Sequence, residues 1–193
     1  MISTIKTELQ GERVLLTPLQ IENIYTHFAW NNDPELNMLD SELPFVEESF
    51  GDFKRRFEGL LFHPSMNSQD FEIHDEEGKL IGVVEISDIS DHNRHCSVSL
   101  TIGDRAYWGK GYGRDAMQVI LDYCFGVLKM HRLTAEAFEY NDAWKRLVEG
   151  MGFHEEGTIR DFVFREGRYW DKHLYALLDT DYSSMGRMPG PTD

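Results

Sequence analysis

The octapeptide Tyr107-Trp108-Gly109-Lys110-Gly111-Tyr112-Gly113-Arg114 is the most informative segment of this chain, because three glycines alternate with larger residues in it. Glycine lets the backbone approach a ligand closely and adopt turns that other residues avoid. Backbone N–H groups at the start of a helix attract anions. The octapeptide therefore predicts a site for the phosphate or pyrophosphate of a bound cofactor.

The octapeptide lies between a predicted strand and a predicted helix. Before it, Val98, Leu100 and Ile102 alternate with polar residues, which is typical of a strand with one apolar face. After it, residues 114–129 carry apolar side chains at helical spacing. A strand over 133–140 and a short helix come next. This order predicts that the glycine turn joins a sheet to a helix.

The remaining segments complete the predicted fold. Residues 70–86 predict a β-hairpin, and residues 162–178 predict another. Helices are predicted over 21–30 and 49–61. The acidic segment 33–48 between them is predicted to be an irregular connection, which either covers a substrate site or is only a solvated link. With no internal repeat and no linker, the pattern predicts one α/β domain with a mixed sheet and helices on both faces.

Composition limits the class of protein. The 193 residues suffice for one substantial core and are few for two. The net charge of −15 disfavours nucleic acid as a partner, and it suits a cationic substrate as well as simple solubility. No apolar run has membrane-spanning length and no secretory signal is visible, so we expect no membrane partner and a cytoplasmic protein. Cys96 and Cys124 stand in no metal or redox motif, which predicts two reduced buried thiols and no metal site.

Two familiar phosphate-binding motifs do not fit the octapeptide. A Walker loop requires Lys followed by Ser or Thr, whereas Gly111 follows Lys110. A dinucleotide fingerprint requires a third glycine where Arg114 stands, and it occurs early in a βαβ unit rather than after several antiparallel strands. A mononucleotide or dinucleotide fold is therefore disfavoured.

The order of motifs resembles the GCN5-related N-acetyltransferases, the GNAT superfamily. Residues 108–113 are similar to the acyl-CoA loop of that family, and Met151-Gly152-Phe153 follows in the family's order. Near the beginning, residues 13–16 and 32–35 resemble the subgroup of ribosomal-protein N-terminal and spermidine acetyltransferases. The resemblance extends over residues 10–182, and the ordered set of motifs is far more specific than any one of them.

The resemblance implies a fold and an activity. The fold is an α/β (α+β) GNAT fold over residues 1–182, with a mostly antiparallel sheet and a splayed strand pair, followed by a flexible tail over 183–193. The activity is transfer of an acetyl group from acetyl-CoA to a primary amine by direct attack in a ternary complex. A polyamine, an amino sugar or a protein N-terminus is the expected acceptor, and a homodimer is the expected assembly. A longer donor such as succinyl-CoA, and a CoA-binding regulatory module with weak or no turnover, are the alternatives.

The resemblance also implies which residues bind the cofactor. The loop amides bind the CoA pyrophosphate, and the strand before the loop pairs with the pantetheine arm, where one N–H polarises the thioester carbonyl. An asparagine after the next strand contacts the arm, although it is equally well placed to cap a helix. The predicted cofactor-binding residues are Leu100, Thr101, Ile102, Gly109, Lys110, Gly111, Tyr112, Gly113, Arg114 and Asn141.

The catalytic acid and base are less evident. The positions at which relatives often carry them hold other residues here: Val148, Trp144, Ser97 and Val163. Glu85 is the first candidate base, because a carboxylate in an apolar strand is desolvated and its pKa rises. The other interpretation of Glu85 is an exposed edge residue or the partner of an arginine. Asp161 is the second candidate, near Val163 on the same predicted strand.

Overall fold

The computed structural model describes residues 8–186 of the chain. They form eight strands: β1 (Leu9–Gln10), β2 (Leu15–Pro18), β3 (Gln69–His74), β4 (Leu80–Ser90), β5 (His95–Ile102), β6 (Arg132–Phe138), β7 (His154–Arg165) and β8 (Arg168–Leu178). The strands make one sheet in the order β1-β2-β3-β4-β5-β6-β8-β7. Only β5 and β6 pair in parallel among these strands. The predicted α/β fold with a mixed, mostly antiparallel sheet is confirmed.

Residues 8–186 also form six α-helices, of which the last follows β8 and the others connect strands: α1 (Ile24–Asn31), α2 (Pro34–Asp40), α3 (Phe50–Phe62), α4 (Tyr112–Asp122), α5 (Asp142–Gly150) and α6 (Asp179–Ser184). A π-helical turn over Tyr123–Val127 continues α4. Short 3-10 turns over Ile21–Asn23 and Arg105–Tyr107 precede α1 and the glycine loop. No described helix has the length and apolar character that a membrane crossing requires.

The core lies mainly between the sheet and α4. Met117, Ile120 and Leu121 of α4 are fully buried and share one cluster with inward-facing strand residues such as Phe71 and Ile73. A second apolar cluster contains Ile24, Phe53 and Phe57, and it joins α1 to α3. Glu72 and His74 alternate with Phe71 and Ile73 along β3, so they face α1 on the opposite side of the sheet. Helices therefore cover both faces, as predicted.

The segment 33–48 differs from its prediction as an irregular connection, because it contains helix α2. Asp33 caps this helix by accepting hydrogen bonds from the N–H groups of Glu35 and Leu36 at 3.0 and 3.1 Å, and Pro34 occupies the first helical position. Pro at this position and Asp before it are standard signals for a helix start. The prediction overlooked them because the helix is short and buries little besides Leu36.

The predicted boundary at residue 182 falls inside α6, which ends at Ser184. Residues 187–193 of the predicted tail lie outside the described part of the chain. The prediction of a flexible tail therefore stays a prediction.

Candidate active site

A V-shaped opening between β5 and β6 forms the main cleft. The two strands pair only over His95↔Arg132, Cys96↔Leu133 and Ser97↔Thr134. Beyond Ser97 they diverge, and the edge of β5 that faces β6 has no strand partner in the described part of the chain. The opening belongs to a cleft of about 1030 Å³, which is large enough for an extended ligand and a second small molecule.

The glycine loop closes one end of this cleft. Gly109 has φ = +68° and Gly111 has φ = +91°, both in the left-handed region that favours glycine. Gly111 is the N-cap residue of α4, so the N–H groups of the first helical turn have no partner within the helix. Gly109, Gly111, Gly113 and Arg114 line the cleft. The loop therefore presents backbone donors and the positive end of a helix to a ligand phosphate.

Two predicted loop residues play a different part in the structure. The side chain of Lys110 does not line the cleft. Tyr112 is buried behind the loop, and its hydroxyl group donates to Glu76 at 3.0 Å. If these residues contact a phosphate, they do so through their backbone.

Arg13 and Asp115 support the loop, and neither role was expected from the sequence. The Arg13 guanidinium donates to the carbonyl of Lys110 and lies 4.1 Å from the ring centre of Tyr112. The Asp115 carboxylate accepts from the N–H groups of Arg13 and Val14 at 2.8 and 3.0 Å. No sequence signal indicated these contacts, because the partners are about a hundred positions apart.

Trp108 and Arg105 attach the loop to its neighbours. The Trp108 indole N–H donates to the carbonyl of Ile102 at 2.6 Å, which fixes the loop against the end of β5. Arg105 donates to both Asp33 carboxylate oxygens at 2.8 Å and to Glu35 at 2.9 Å. This bidentate pair ties the start of α2 to the loop. The carbonyl of Ile102 is thereby already occupied, whereas the backbone groups of Leu100, which point to the same edge of β5, have no strand partner there.

Asn141 has the capping role that the sequence allowed. Its side-chain oxygen accepts from the N–H of Trp144 at 3.1 Å, at the start of α5. Its amide group donates to the carbonyl of Leu39 at 3.1 Å, and the residue also lines the cleft. Asn141 therefore holds α5 and the end of α2 together at the cleft wall.

The cleft fits coenzyme A, the cofactor that the resemblance implies. An added side chain at Gly109 would meet no atom within 4 Å, so the loop leaves open space in front of its backbone. The unpaired edge of β5 can hydrogen-bond an extended amide-containing chain as an added strand would. Loop amides for phosphates and a strand edge for the pantetheine amides are the two elements that this cofactor requires.

The other end of the cleft is acidic. Asp40, Glu42, Asp88 and Glu136 line it together with one basic residue, Lys172. Lys172 contacts Glu136 closely and Glu42 at 3.9 Å. Although Asp40 still reaches solvent, desolvation by the cleft walls raises the pKa of its carboxyl. Four carboxylates against one ammonium group give this end of the cleft a net negative charge, which favours a bound cation.

Residues 38–43, which we call the rim segment, cover the acidic end and are anchored from β7. Arg165 donates to the carbonyls of Met38 and Ser41, and to that of Leu43 at 3.2 Å. The hydroxyl group of Tyr140 donates to the carbonyl of Met38 at 3.0 Å. These contacts hold the rim segment in place and so position its two carboxylates, Asp40 and Glu42.

The structure separates the two predicted catalytic carboxylates. Glu85 lies on β4 beside the acidic end but not among the residues that line the cleft. Desolvation raises the pKa of its carboxyl, and the charges of Asp70, Asp40 and Asp88 raise it further. Asp161 lies in an exposed bulge of β7 with φ = +52°, outside the cleft lining. Glu85 thus belongs to the acidic surroundings of the cleft, whereas Asp161 is not brought to it.

A family profile for the acetyltransferase (GNAT) domain matches residues 13–154. The spermidine N(1)-acetyltransferase of Vibrio cholerae is 33% identical over 167 residues, which cover 86% of this chain and 95% of the relative. The ribosomal protein uS5-alanine N-acetyltransferase of Escherichia coli is 27% identical over 124 residues, 63% of each chain.

A solved structure of the Vibrio cholerae spermidine N-acetyltransferase, in complex with CoA and spermine, superposes with a TM-score of 0.79. It shares 26% sequence identity and covers 88% of this chain and 98% of its own. The comparisons thus support the fold and the cofactor independently of the cleft geometry.

Proposed function

Because the chain belongs to the GNAT family of acetyltransferases and is an acetyl-CoA-dependent N-acetyltransferase, we propose that its acceptor is a primary amine of a small polycation such as a polyamine. The observation that carries this proposal is the pair of opposed cleft ends. The glycine loop offers donors for phosphate, and the far end offers carboxylates. A cationic amine fits only the second of these ends.

Different residues of the cleft bind the two reactants. When bound, acetyl-CoA supplies an acetyl group activated as a thioester. The loop from Gly109 to Arg114 holds phosphate oxygens, and the free edge of β5 orients the extended arm. Asp40 and Glu42 of the rim segment hold the ammonium groups of the acceptor. Holding both reactants in one cleft supplies much of the rate by proximity.

The relatives support this acceptor and name one competitor. The Vibrio cholerae relative is a spermidine acetyltransferase, and its solved complex contains spermine. The Escherichia coli relative acts on the alanine of a ribosomal protein, which is a protein N-terminus. The carboxylate-rich cleft and the net charge of −15 favour the polyamine, because several positive charges gain from several negative ones.

An acetyl-transfer screen tests the proposal directly. Release of free CoA thiol is measured with spermidine, spermine, aminoglycosides, amino acids and short N-terminal peptides as acceptors. We expect the highest kcat/KM with the polyamines. A higher kcat/KM with an alanine N-terminal peptide would favour the competitor, and no turnover with any amine would favour a binding module.

The rim carboxylates provide a prediction for acceptor affinity. Replacing Asp40 with Asn, or separately Glu42 with Gln, is expected to raise the KM for spermine about tenfold or more, because each charge-assisted hydrogen bond contributes about 1.5–3 kcal/mol. The Kd for CoA, measured by calorimetry, should stay the same. The control is Glu47→Gln, which removes one charge from an exposed residue outside the cleft lining. An equal rise in the KM for spermine in Glu47→Gln would show that the net charge of the protein, and not the position of the rim carboxylates, determines acceptor affinity.

Glu85 provides a second prediction. We expect Glu85→Gln to lower kcat while the Kd for CoA stays the same, because the raised pKa of this carboxyl suits a proton acceptor or a charge that stabilises the ammonium. The rate is measured from acid to neutral pH. The deficit should be largest above the pKa of Glu85, where the wild type carries the charge that the variant lacks. Identical rates across this range would remove Glu85 from the reaction.

A further inference from the structure

The point at which β5 and β6 separate carries a group of hydrogen-bonded side chains. Ser97 and Thr134 are the last paired residues of the two strands, and their hydroxyl oxygens are 2.9 Å apart. The Ser97 hydroxyl also donates to the Asp88 carboxylate at 3.3 Å. Asp88 and Ser97 both line the cleft. A carboxylate, a hydroxyl group and the vertex of the cleft therefore meet at one place.

Asp88 is held there by an unusual backbone conformation. Its φ is +50°, and it lies where the pairing of β4 with β5 is interrupted between Ser87 and Ser90. Left-handed backbone is uncommon for residues other than glycine, and such strain concentrates at functional sites. The bulge turns the Asp88 side chain toward Ser97 instead of leaving it in the regular alternation of the strand.

The length of β5 separates the vertex of the cleft from the glycine loop. From Ile102 beside the loop to Ser97 at the vertex, β5 spans five residues, or ~16 Å. A ligand whose phosphates bind the loop amides and whose arm follows β5 has its far end at the vertex. Asp88 and Ser97 stand at this far end, and they line the same cleft as the carboxylates of the rim segment.

We propose that Asp88, acting through the Ser97 hydroxyl group, accepts the proton that the acceptor ammonium must lose. The ammonium gives one N–H proton to the Ser97 oxygen, while the Ser97 hydroxyl proton moves to the Asp88 carboxylate. The step leaves a neutral amine, an intact serine and a protonated Asp88, which returns the proton to water. The role depends on the proposed function, because it requires an amine acceptor.

Several charged groups surround this pair and belong to its electrostatic environment. Glu85 lies on the same strand, three residues before Asp88, and the two carboxylates repel each other. The cleft wall adds charged groups from α2 and the loop after it, from β6, from α5 and from β8: Asp40, Glu42, Glu136, Arg146 and Lys172. This predominantly negative environment favours a cation at the vertex, and it stays the same in the variants described next.

The first experiment compares Asp88→Asn with Asp91→Asn. Asparagine tolerates the left-handed conformation almost as well as aspartate, so the bulge is kept. Asp91 lies in the adjacent exposed turn and gives a control with the same change of charge. We expect D88N to lower kcat/KM for spermidine about 100-fold and D91N to leave it unchanged. The D88N deficit should shrink with a less basic primary amine, such as an amino-acid amide, which is already partly neutral.

The second experiment tests the hydrogen bond itself in the protein without cofactor. Ser97→Ala removes the hydroxyl group and Ser97→Thr keeps it. At fixed pH, the carbon-13 resonance of the Asp88 carboxyl group should move in S97A and stay close to the wild-type position in S97T. Likewise, kcat/KM should fall in S97A and stay close to the wild-type value in S97T. An unmoved resonance in S97A would contradict the contact on which the role depends.

The outcomes separate this role from the proposed function. Equal turnover of D88N and D91N, or a D88N deficit that is the same for acceptors of every basicity, overturns the role of Asp88 alone. A wild type that transfers acetyl groups to no amine overturns the proposed function and the role of Asp88 with it. Calorimetric binding of CoA to each variant verifies that the cofactor site is intact.

Discussion

Replacing Glu72 with glutamine is expected to lower the free energy of unfolding by about 3 kcal/mol near neutral pH. Glu72 is fully buried under α1. Its two carboxylate oxygens accept four hydrogen bonds. One comes from the backbone N–H of Gln20 at 3.0 Å, and three come from the side chains of Asn23 at 2.7 Å, His27 at 2.8 Å and His74 at 3.1 Å. Glutamine has one acceptor oxygen in place of two, so its own NH₂ group would face some of these donors. An unmatched buried polar group is costly.

The pH dependence of this effect has a definite sign. Burial opposes ionisation of Glu72, but the hydrogen bonds from His27, His74, Gln20 and Asn23 prevail and lower the pKa of its carboxyl to about 2, from 4.5. A lowered pKa means that the ionised group stabilises the fold above about pH 4.5, and that this contribution is lost as the pH falls toward 2. The stability difference between wild type and Glu72→Gln should therefore shrink in acid.

His74 adds a dependence of the opposite sign. Its hydrogen bond to Glu72 raises the pKa of the imidazole above 6.5. A raised pKa stabilises the fold below pH 6.5, and this contribution is lost as the pH rises through the folded-state pKa. Urea unfolding at several pH values measures both pH-dependent contributions, that of Glu72 in acid and that of His74 near neutral pH. Glu22→Gln, an exposed acidic residue of the neighbouring turn, is the control and should change stability by less than ~0.5 kcal/mol. An equal loss in both variants would contradict the role of the buried cluster.

Replacing Gly111 with alanine is expected to weaken CoA binding about tenfold. Gly111 has φ = +91°, and a residue with a side chain costs about 1–2 kcal/mol in left-handed backbone. The alanine Cβ itself meets only the Arg13 guanidinium at 3.6 Å, so the cost comes from the backbone and not from a clash. The free loop can relax away from this conformation, whereas binding requires it, so the cost appears in the Kd.

A matched control separates loop geometry from general strain. Gly167 in the β7–β8 turn has φ = +79°, and an added Cβ there would meet no atom within 4 Å, but it lies outside the cleft lining. Gly167→Ala should leave the Kd for CoA unchanged, whatever its effect on the melting temperature. Calorimetry with CoA and thermal unfolding of both variants provide the measurements. Unchanged CoA affinity in Gly111→Ala would show that the loop conformation is not needed for binding.

Patterns local in sequence predicted the elements around the cofactor end well. The alternation of Val98, Leu100 and Ile102 predicted β5, and the apolar spacing after Gly113 predicted α4. The expected family, fold, enzyme class and cofactor are confirmed. Helix α2 was missed although its cap was readable, since Asp33 and Pro34 mark a helix start that the acidic composition obscured. The roles assigned to individual site residues stay predictions.

The amino-acid sequence by itself determined the donor half of this protein, because that half depends on neighbours along the chain. A glycine loop followed by the first turn of a helix predicts a phosphate site, because consecutive backbone groups supply its donors. The acceptor half was decided only by the tertiary structure. Arg165 reaches the rim segment across more than a hundred residues, and Asp88 meets Ser97 through a bulge. Hydrogen bonds between distant segments leave no periodicity in a sequence, so the acidic end of the cleft became visible only when the strands were paired.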